Sequence, residues 1–478
     1  MLKILTVIKK SGFARKLNQD KKVSPQKIKV ESDKKSQEIR TGYQKIDKEE
    51  LKSLKNNLPP KNLSPKLLEK CKQVFTKYKH KHIMENGKLY MKLQSQLYSS
   101  EQPMDFGKSK MPFQNSTDLL LEMPELKYSL GQRKENFEEP KSKELTNKFQ
   151  THEQESKILE YDQNSVIAYL YRRFPESYNI AHRLIREIKN VAPSFKPTNS
   201  LDFGAGLSPF AHAIVEEFPE IENITCVEKN EFMTGVGRFM AKELQQVEWI
   251  RSLEELRILG EDHKFDFINC SFVLEELPSP ELRMKVVNTL LSKLSDGGIA
   301  TFVLVGTPMG FRFMHDIRSM VIEKPRDEIN IIGPCPHHSK CPLARNKRTW
   351  CHFEQKWPRY SSQVLPRKKN ERNIILSKFS YLTIMKGPMR KQETQDEGSM
   401  KEFSWDRIIS PVIKKSGHRI IELCNSQGQN EKRIVARSFE PIYGFKQSKK
   451  LEWGDRWRFP LRLPNKYRRE QKDGKKIF

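Results

Sequence analysis

Residues 201–209 read Leu201-Asp202-Phe203-Gly204-Ala205-Gly206-Leu207-Ser208-Pro209, an apolar run that passes through two glycines into a serine and a proline. A glycine has no Cβ, so the backbone there can turn tightly and approach a ligand closely. Ser208 belongs to the residue types that cap helices, and Pro209 suits the first helical position. The stretch therefore predicts a strand, a tight turn and a helix capped by Ser208.

An acidic residue follows this turn at the distance that nucleotide-binding βαβ units use. Glu228 closes the next apolar run, Thr225-Cys226-Val227-Glu228, and stands 22 residues beyond Gly206. A carboxylate at this place can bind two ribose hydroxyls. We therefore predict a nucleotide-type pocket built from Asp202, Gly204, Gly206 and Glu228. The alternative is a tight turn between strand and helix that binds no ligand.

Short apolar runs alternate with helical patterns around this turn. The runs are 200–203, 224–228, 246–250, 265–272 and 299–305, and the helical patterns include 208–218 and 280–294. This alternation predicts an α/β fold with a parallel sheet and helices on both faces. A later strand, Phe379–Met385, is expected to return to the sheet. The pattern resembles class I S-adenosylmethionine-dependent methyltransferases, which implies a Rossmann-like sheet and makes S-adenosylmethionine a possible cofactor.

The sequence offers no convincing catalytic residue. Methyltransferases that modify amino groups carry an Asn/Asp-Pro-Pro-aromatic run after the fourth strand, whereas this chain has Asn269-Cys270-Ser271-Phe272-Val273-Leu274. Cys270 lies inside an apolar run, where a free cysteine usually belongs to the core. Glu275 and Glu276 could act as a base, but we expect acids on this loop to be solvated. We therefore predict no catalytic residue.

Cysteines are concentrated in one irregular segment. Cys335, Cys341 and Cys351 fall within 17 residues of a chain that has seven cysteines in 478 residues. Their spacings, C-x5-C and C-x9-C, differ from the paired C-x2-C knuckles of zinc ribbons, and Cys424 could be a fourth ligand. The pattern favours an iron–sulfur cluster over zinc, and a disulfide is a third option that a reducing compartment disfavours. The zinc alternative uses the three cysteines and one histidine: His337, His338, His352 or His418.

The chain is strongly basic. Lys and Arg number 87 against 60 Asp and Glu, a formal net charge of +27, which indicates a polyanionic partner such as nucleic acid. Residues 340–372 hold ten cations against two acids, and residues 456–478 hold nine with aromatic side chains between them. Such segments can neutralise phosphates and stack on unpaired bases. A membrane-spanning protein is not expected, because no window approaches about 20 uninterrupted apolar residues.

Composition divides the chain. Residues 1–19 contain five basic side chains and no acid, a pattern typical of a mitochondrial transit peptide. A polar arm over 20–155 is expected to be partly helical, at 64–78, and otherwise extended or disordered. The further predicted parts are a methyltransferase-like core over 156–325, a Cys-rich iron–sulfur insertion over 326–372, the last strands of the core sheet over 373–390, and a C-terminal β-containing extension with a basic tail over 391–478.

Several longer motifs resemble those of one family. They are Gly306-Thr307-Pro308-Met309-Gly310-Phe311, Cys335-Pro336-His337, Trp350-Cys351-His352-Phe353, Ser404-Trp405-Asp406-Arg407-Ile408-Ile409 and Trp453-Gly454-Asp455. Over roughly 156–478 the chain is similar to the mitochondrial methyltransferase-like small-ribosomal-subunit assembly family, of the methyltransferase-like protein 17 type.

The resemblance implies a protein of the mitochondrial matrix that assists assembly of the mitochondrial small ribosomal subunit by contacting its rRNA. It implies a 4Fe-4S cluster held by Cys335, Cys341, Cys351 and Cys424. It also implies an inactive methyltransferase, since members of the family are thought not to transfer methyl groups. The alternative function is an active S-adenosylmethionine-dependent rRNA methyltransferase.

Overall fold

The computed structural model of the protein describes residues 54–77, 162–260, 262–344, 346, 349–360, 372–388, 405–436, 445 and 448–457. Its α-helices are α1 (Pro65–Thr76), α2 (Gln163–Val191), α3 (Pro209–Glu217), α4 (Glu231–Ala241), α5 (Pro280–Ser292) and α6 (Pro308–Glu323). Its strands are β1 (Asn199–Phe203), β2 (Asn223–Val227), β3 (Val247–Ile250), β4 (Phe265–Ser271), β5 (Leu294–Val305), β6 (Ile329–Gly333), β7 (Phe353–Pro358), β8 (Ile374–Lys386), β9 (Asp406–Ile408), β10 (Ile413–Lys414), β11 (His418–Cys424), β12 (Asn430–Ala436) and β13 (Arg456–Trp457).

Some of the predicted segments cannot be compared with this structure. The transit peptide over 1–19, most of the arm over 20–155 and much of both basic segments lie outside the described residues. The helix predicted at 64–78 is present as α1. Within the described ranges, no helix combines the length and the apolar character that crossing a membrane requires.

A mixed sheet of eight strands forms the centre of the protein. β1 to β5 run parallel in the order β3-β2-β1-β4-β5, and β8 joins β5 in the antiparallel direction. β6 and β7 both pair antiparallel with β8. The predicted α/β fold is confirmed, and the predicted parallel sheet is present over β1 to β5, with antiparallel strands added beyond β5. The predicted strand Phe379–Met385 lies in β8, where it pairs with 299–305 of β5.

The strand order determines where a ligand would bind. β1 lies between β2 and β4. From β1 the chain moves outward to β2 and β3 on one side, and it then crosses to β4 and β5 on the other side. In doubly wound sheets, the crevice for a ligand lies at such a reversal, at the carboxyl ends of the strands. The residues that follow β1, β2 and β4 therefore share one edge of the sheet.

Helices cover both faces of the large sheet. Side chains of α1, α2, α3 and α4 form a core on one face, and those of α5 and α6 form a core on the other. The stripe of α2 that the sequence shows at helical spacing is buried throughout: Ala181, Leu184, Ile185 and Ile188. Complete burial of one large aliphatic side chain contributes about 1.5–3 kcal/mol, so this stripe anchors α2 on the sheet.

β9 to β13 form a second, antiparallel sheet. Its strand order is β10-β11-β9-β13, and β12 pairs with β11. Its small core consists of Leu54, Ile408, Ile421, Leu423, Val435, Phe445, Leu451 and Trp457. Leu54 comes from the N-terminal segment, and its carbonyl accepts the backbone N–H of Arg456 at 2.9 Å. The segment that precedes α1 therefore packs against the second sheet and completes its core.

A buried group of charges joins the two sheets. Glu187 of α2 forms ion pairs with Arg407 of β9 and, at 3.5 Å, with Arg456 of β13. Tyr381 of β8 donates its hydroxyl to the same carboxylate at 2.5 Å. Arg407 also donates to the carbonyl of Pro334 at 2.9 Å. We call these four side chains, Glu187, Tyr381, Arg407 and Arg456, the Glu187 cluster.

Candidate functional site

The glycine turn has a backbone that only glycine adopts easily. Gly204 and Gly206 have φ values of +71° and +54°. A Cβ on Gly204 would overlap a methyl group of Val273, and one on Gly206 would lie 3.1 Å from the Tyr169 hydroxyl. Protein side chains therefore already lie against the two glycines on the side where a Cβ would project.

Ser208 does not cap the helix that follows the turn. Its φ is +65°, its side chain accepts no hydrogen bond from α3, and its hydroxyl donates to the carbonyl of Leu207 at 2.5 Å. Ser208 occupies the N-cap position of α3 as predicted, but its side chain makes no capping hydrogen bond, because its left-handed backbone differs from the extended conformation of a normal cap. Other helices do have a side-chain cap: Ser64, Ser279 and Thr307 each accept a backbone N–H of the first helical turn.

Glu228 reaches the glycine turn, as the βαβ pattern predicts. One carboxylate oxygen accepts the N–H of Gly206 at 2.9 Å, and the other accepts the N–H of Asn230 at 2.9 Å. Burial raises the pKa of Glu228, and the two backbone donors oppose this effect. The backbone of Lys229 contributes a further hydrogen bond, so backbone groups hold the carboxylate against the glycine turn.

Asp202 ends β1 in a buried polar network. Its Oδ1 accepts the side-chain amide of Asn269 at 2.5 Å, and Asn269 Oδ1 in turn accepts the hydroxyls of Ser271 and Thr301. Burial raises the pKa of Asp202 to about 7. Among the described residues, its Oδ2 has no hydrogen-bond partner although it is buried. Asp202 therefore offers one free polar atom beside the glycine turn.

Glu275 differs from the sequence expectation. Its Oε1 accepts the N–H of Val305, at the end of β5, at 2.7 Å, and its Oε2 is buried with no partner among the described residues. Burial raises its pKa to about 7. The expectation that Glu275 is solvated is wrong, because the short 3-10 helix after β4 directs its carboxylate to the end of β5. Cys270 is fully buried, as expected of a core cysteine.

Four cysteines line one cavity. Cys335, Cys341 and Cys351 come from the irregular segment between β6 and β7, and Cys424 ends β11 of the second sheet. The empty space of this cavity, including its open mouth, is about 590 Å³. Within the described ranges, no three or more Cys, His, Asp or Glu side chains are arranged to hold a metal ion. The four cysteines thus surround a space and do not converge on one point.

The cysteines influence one another electrostatically. Burial raises the pKa of the Cys341 thiol to about 11, and the neighbouring Cys335 adds to this effect. The pKa values of Cys351 and Cys424 are also raised, first by burial and then by the other cysteines of the cavity. Without a metal, these thiols are protonated at neutral pH, so a metal would have to displace their protons.

One of the four candidate histidines borders the cysteines. His337 Nε2 lies 3.2 Å from the sulfur of Cys424. Burial, reinforced by a neighbouring guanidinium, lowers the pKa of His337 to about 4, so the ring is neutral at pH 7. The other three lie in different surroundings: His338 accepts a backbone N–H of β6, His352 stacks on Trp350, and His418 is at the opposite end of β11 from Cys424.

Two buried arginines also line the cysteine cavity. Arg318 projects from α6 and Arg407 from β9. The sequence does not predict that either arginine is buried, because an arginine in an amphipathic helix or a short strand is normally a surface residue. Only burial against the cysteines, which depends on the tertiary structure, distinguishes them.

Comparison with known proteins places these features in a family. The model of the family described as "Mitochondrial small ribosomal subunit Rsm22" matches residues 163–458. The Rsm22-cox11 tandem protein 2, mitochondrial, of Schizosaccharomyces pombe is 26% identical over 328 residues, which are 62% of this chain and 43% of that protein. The human ribosome assembly protein METTL17, mitochondrial, is 24% identical over 310 residues, 62% of this chain and 63% of that protein.

The chain spans less than two thirds of the length of these relatives. Among solved structures, it is similar to the N-methyltransferase NodS from Bradyrhizobium japonicum WM9 in complex with S-adenosyl-L-homocysteine. The identity is 12%, the match covers 43% of this chain and 85% of NodS, and the TM-score is 0.28. At that score we infer nothing about ligand or activity. The family match, in contrast, covers more than half of the chain, and the protein therefore belongs to the Rsm22 family of the mitochondrial small ribosomal subunit.

Proposed function

We propose that this protein assists assembly of the mitochondrial small ribosomal subunit in the mitochondrial matrix, and that it does so by binding rRNA without transferring methyl groups. The observation that carries the proposal is the family match over residues 163–458, which spans both sheets and the cysteine cavity. A net charge of +27 supports contact with a polyanion. The large sheet would then serve as a platform, since a fold does not determine its function.

The association itself can be tested with the full chain. We expect tagged protein in mitochondrial extracts to sediment with small-subunit particles, and ultraviolet crosslinking to attach it to small-subunit rRNA. Raising the salt concentration should release it, because phosphate contacts weaken steeply with ionic strength. Sedimentation at the position of free protein at every salt concentration would contradict the proposal.

A 4Fe-4S cluster forms part of the proposal, with Cys335, Cys341, Cys351 and Cys424 as its ligands. These residues fit such a group because four soft thiol donors line one cavity. Bound there, a cluster would cross-link the segment between β6 and β7 to β11 and so stabilise the fold. Cys341, Cys351 and Cys424, whose pKa values are raised, would have to lose their protons on binding.

Metal analysis after anaerobic purification distinguishes the cluster from zinc. We expect about four iron atoms and four acid-labile sulfides per chain, by the stoichiometry of the cluster. Cys270→Ala is the matched control, because this cysteine is buried in β4 away from the cavity. One equivalent of zinc without iron would assign the site to zinc.

The second candidate function is S-adenosylmethionine-dependent methylation of rRNA. The free buried oxygen of Asp202 beside the glycine turn favours a bound ligand, and a carboxyl whose pKa is near 7, such as that of Glu275, suits a general base. S-adenosylmethionine would be held by Asp202, Gly204, Gly206 and Glu228, and it would supply an activated methyl group. Calorimetric titration of wild-type protein and of the isosteric Asp202→Asn variant tests this binding.

A further inference from the structure

The core-facing side of α6 carries a cation. Arg318 shares its stripe with Phe311, Met314 and Val321, and it is 4% exposed. Burying a guanidinium is costly unless an anion compensates its charge. Among the described residues, however, no carboxylate forms an ion pair with Arg318. The fold thus keeps a positive charge in its interior without an acidic partner.

The donors of Arg318 point at the cysteine segment. Its Nε donates to the sulfur of Cys335 at 3.3 Å. Its Nη2 donates to the carbonyls of His337 and Ser339, at 3.1 and 2.7 Å. The forked guanidinium therefore contacts the first cysteine and the backbone that leads to Cys341 at the same time, a geometry that a lysine cannot reproduce. Because the two carbonyls are neutral, the cysteine sulfurs would supply the counter-charge once a metal has displaced their protons.

The other arginine of the cavity already has an anion. Arg407 is paired with Glu187, and the same carboxylate also faces Arg183 and Arg456. One carboxylate therefore faces three guanidinium groups, so the Glu187 cluster has no negative charge left for Arg318. Burial tends to lower the pKa of Arg318, but the neighbouring Cys335, Cys341 and Cys424 outweigh it and raise the pKa, which agrees with their proximity.

We propose that Arg318 is the built-in counter-charge of the four-cysteine site, and that its hydrogen bond to Cys335 both retains the metal centre and raises its reduction potential. The inference rests on the cluster of the proposed function. Four thiolates and a cluster core of charge +2 sum to −2, and one-electron reduction of the core makes this −3. A cation that donates to a ligand sulfur favours the more negative state, and hydrogen bonds and net charge are known determinants of cluster potential. Arg318 is a positioning residue and does not bind the metal.

The test compares three variants of the full chain after anaerobic reconstitution with iron and sulfide. Arg318→Met removes the charge at similar length, and Arg318→Lys keeps the charge but loses the fork. Arg326→Met is the control, because it removes one exposed cation close to the end of α6. Midpoint potentials come from dithionite titration followed by electron paramagnetic resonance, and retention comes from the rate of iron loss to a chelator.

We expect Arg318→Met to have a lower midpoint potential than the wild type and to lose iron several-fold faster. Arg318→Lys should lie between the two, and Arg326→Met should match the wild type. If Arg318→Met does not hold iron, Arg318→Lys decides the question. The inference would be overturned if both Arg318 variants kept the wild-type midpoint potential and the wild-type rate of iron loss. An equal shift of the midpoint potential in Arg326→Met would also overturn it. Failure of the wild type itself to take up iron would show instead that the proposed cluster is absent, and the inference would fall with it.

Discussion

At the scale of single residues, the glycine turn shows how closely local backbone and tertiary contact are linked. Gly204 has a positive φ, and a methyl group of Val273 lies where its Cβ would be. Both constraints act against any other residue at this position. Gly235, inside α4, has no heavy atom within 4 Å of its hypothetical Cβ. Replacing Gly204 or Gly235 by alanine should therefore change the stability of the protein in opposite directions.

We expect Gly204→Ala to lower the free energy of unfolding by about 1–3 kcal/mol or more, from backbone strain and overpacking. Gly235→Ala should raise it by about 0.5–1 kcal/mol, because alanine favours a helix interior. Chemical denaturation of the purified variants measures both changes. Equal effects in the two variants would contradict the close contact at Gly204.

The sequence predicts the position of a candidate site residue well where that position follows from the pattern of strands and turns. The glycines and Glu228 meet at one sheet edge because parallel strands align their carboxyl ends. The missing side-chain cap of Ser208 and the buried carboxylate of Glu275 differ from the expectation, since a left-handed backbone and an inward-turned carboxylate leave no local signal in the sequence. Arg318 was missed for the same reason, because its burial depends on how α6 packs against the cysteine segment.

At the scale of elements, the Glu187 cluster connects α2 and β8 with the second sheet. We expect Glu187→Gln to lower the free energy of unfolding by about 3–5 kcal/mol, because it removes the anion that three buried guanidinium groups face. Glu328→Gln is the control, since its pair with Lys324 is exposed and contributes about 0–1 kcal/mol. Urea unfolding measures the difference, and limited proteolysis should show earlier cleavage of the second sheet in Glu187→Gln. Stability losses of the same size in both variants would argue against the cluster as the link.

The end of α3 joins the N-terminal segment to the core in a pH-dependent way. Burial tends to raise the pKa of Glu216, but donors from His182, Lys61 and Tyr178 outweigh it and lower the pKa to about 2. Glu217 is lowered to about 2 in the same manner, by His182 and Lys189. A carboxyl with a depressed pKa in the folded state contributes stability above its unfolded value of about 4.5 and loses it as the pH falls toward 2.

We therefore expect wild-type stability to decline between about pH 4.5 and pH 2, and we expect a Glu216→Gln, Glu217→Gln double variant to decline less over that window. Glu220→Gln, an exposed change just beyond α3, is the control. Thermal unfolding at a series of pH values provides the data. An unchanged pH dependence in the double variant would exclude these carboxyls as its source.

At the scale of the whole molecule, the order of the large sheet follows from the alternation of strands and helices, whereas the union of the two sheets does not. Cys424 stands 73 residues beyond Cys351 in the sequence, yet both line the same cavity. Leu54, at the other end of the described chain, completes the core of the second sheet. Contacts of such long range carry no periodic signal. Cys424 is expected near the other cysteines because of its residue type and the family resemblance, whereas the position of Leu54 is seen only in the structure.

The most direct test of the proposed function is the ratio of assembled small to large mitochondrial ribosomal subunits in cells that lack the protein and carry a variant of it. We expect Asp202→Asn and Cys270→Ala to restore the wild-type ratio and Cys335→Ser to leave it low. Asp202 would then be dispensable for assembly of the small subunit, and the cysteine site would be essential for it. A low ratio with Asp202→Asn, together with the loss of a specific rRNA methyl group, would contradict the proposal and favour an active methyltransferase.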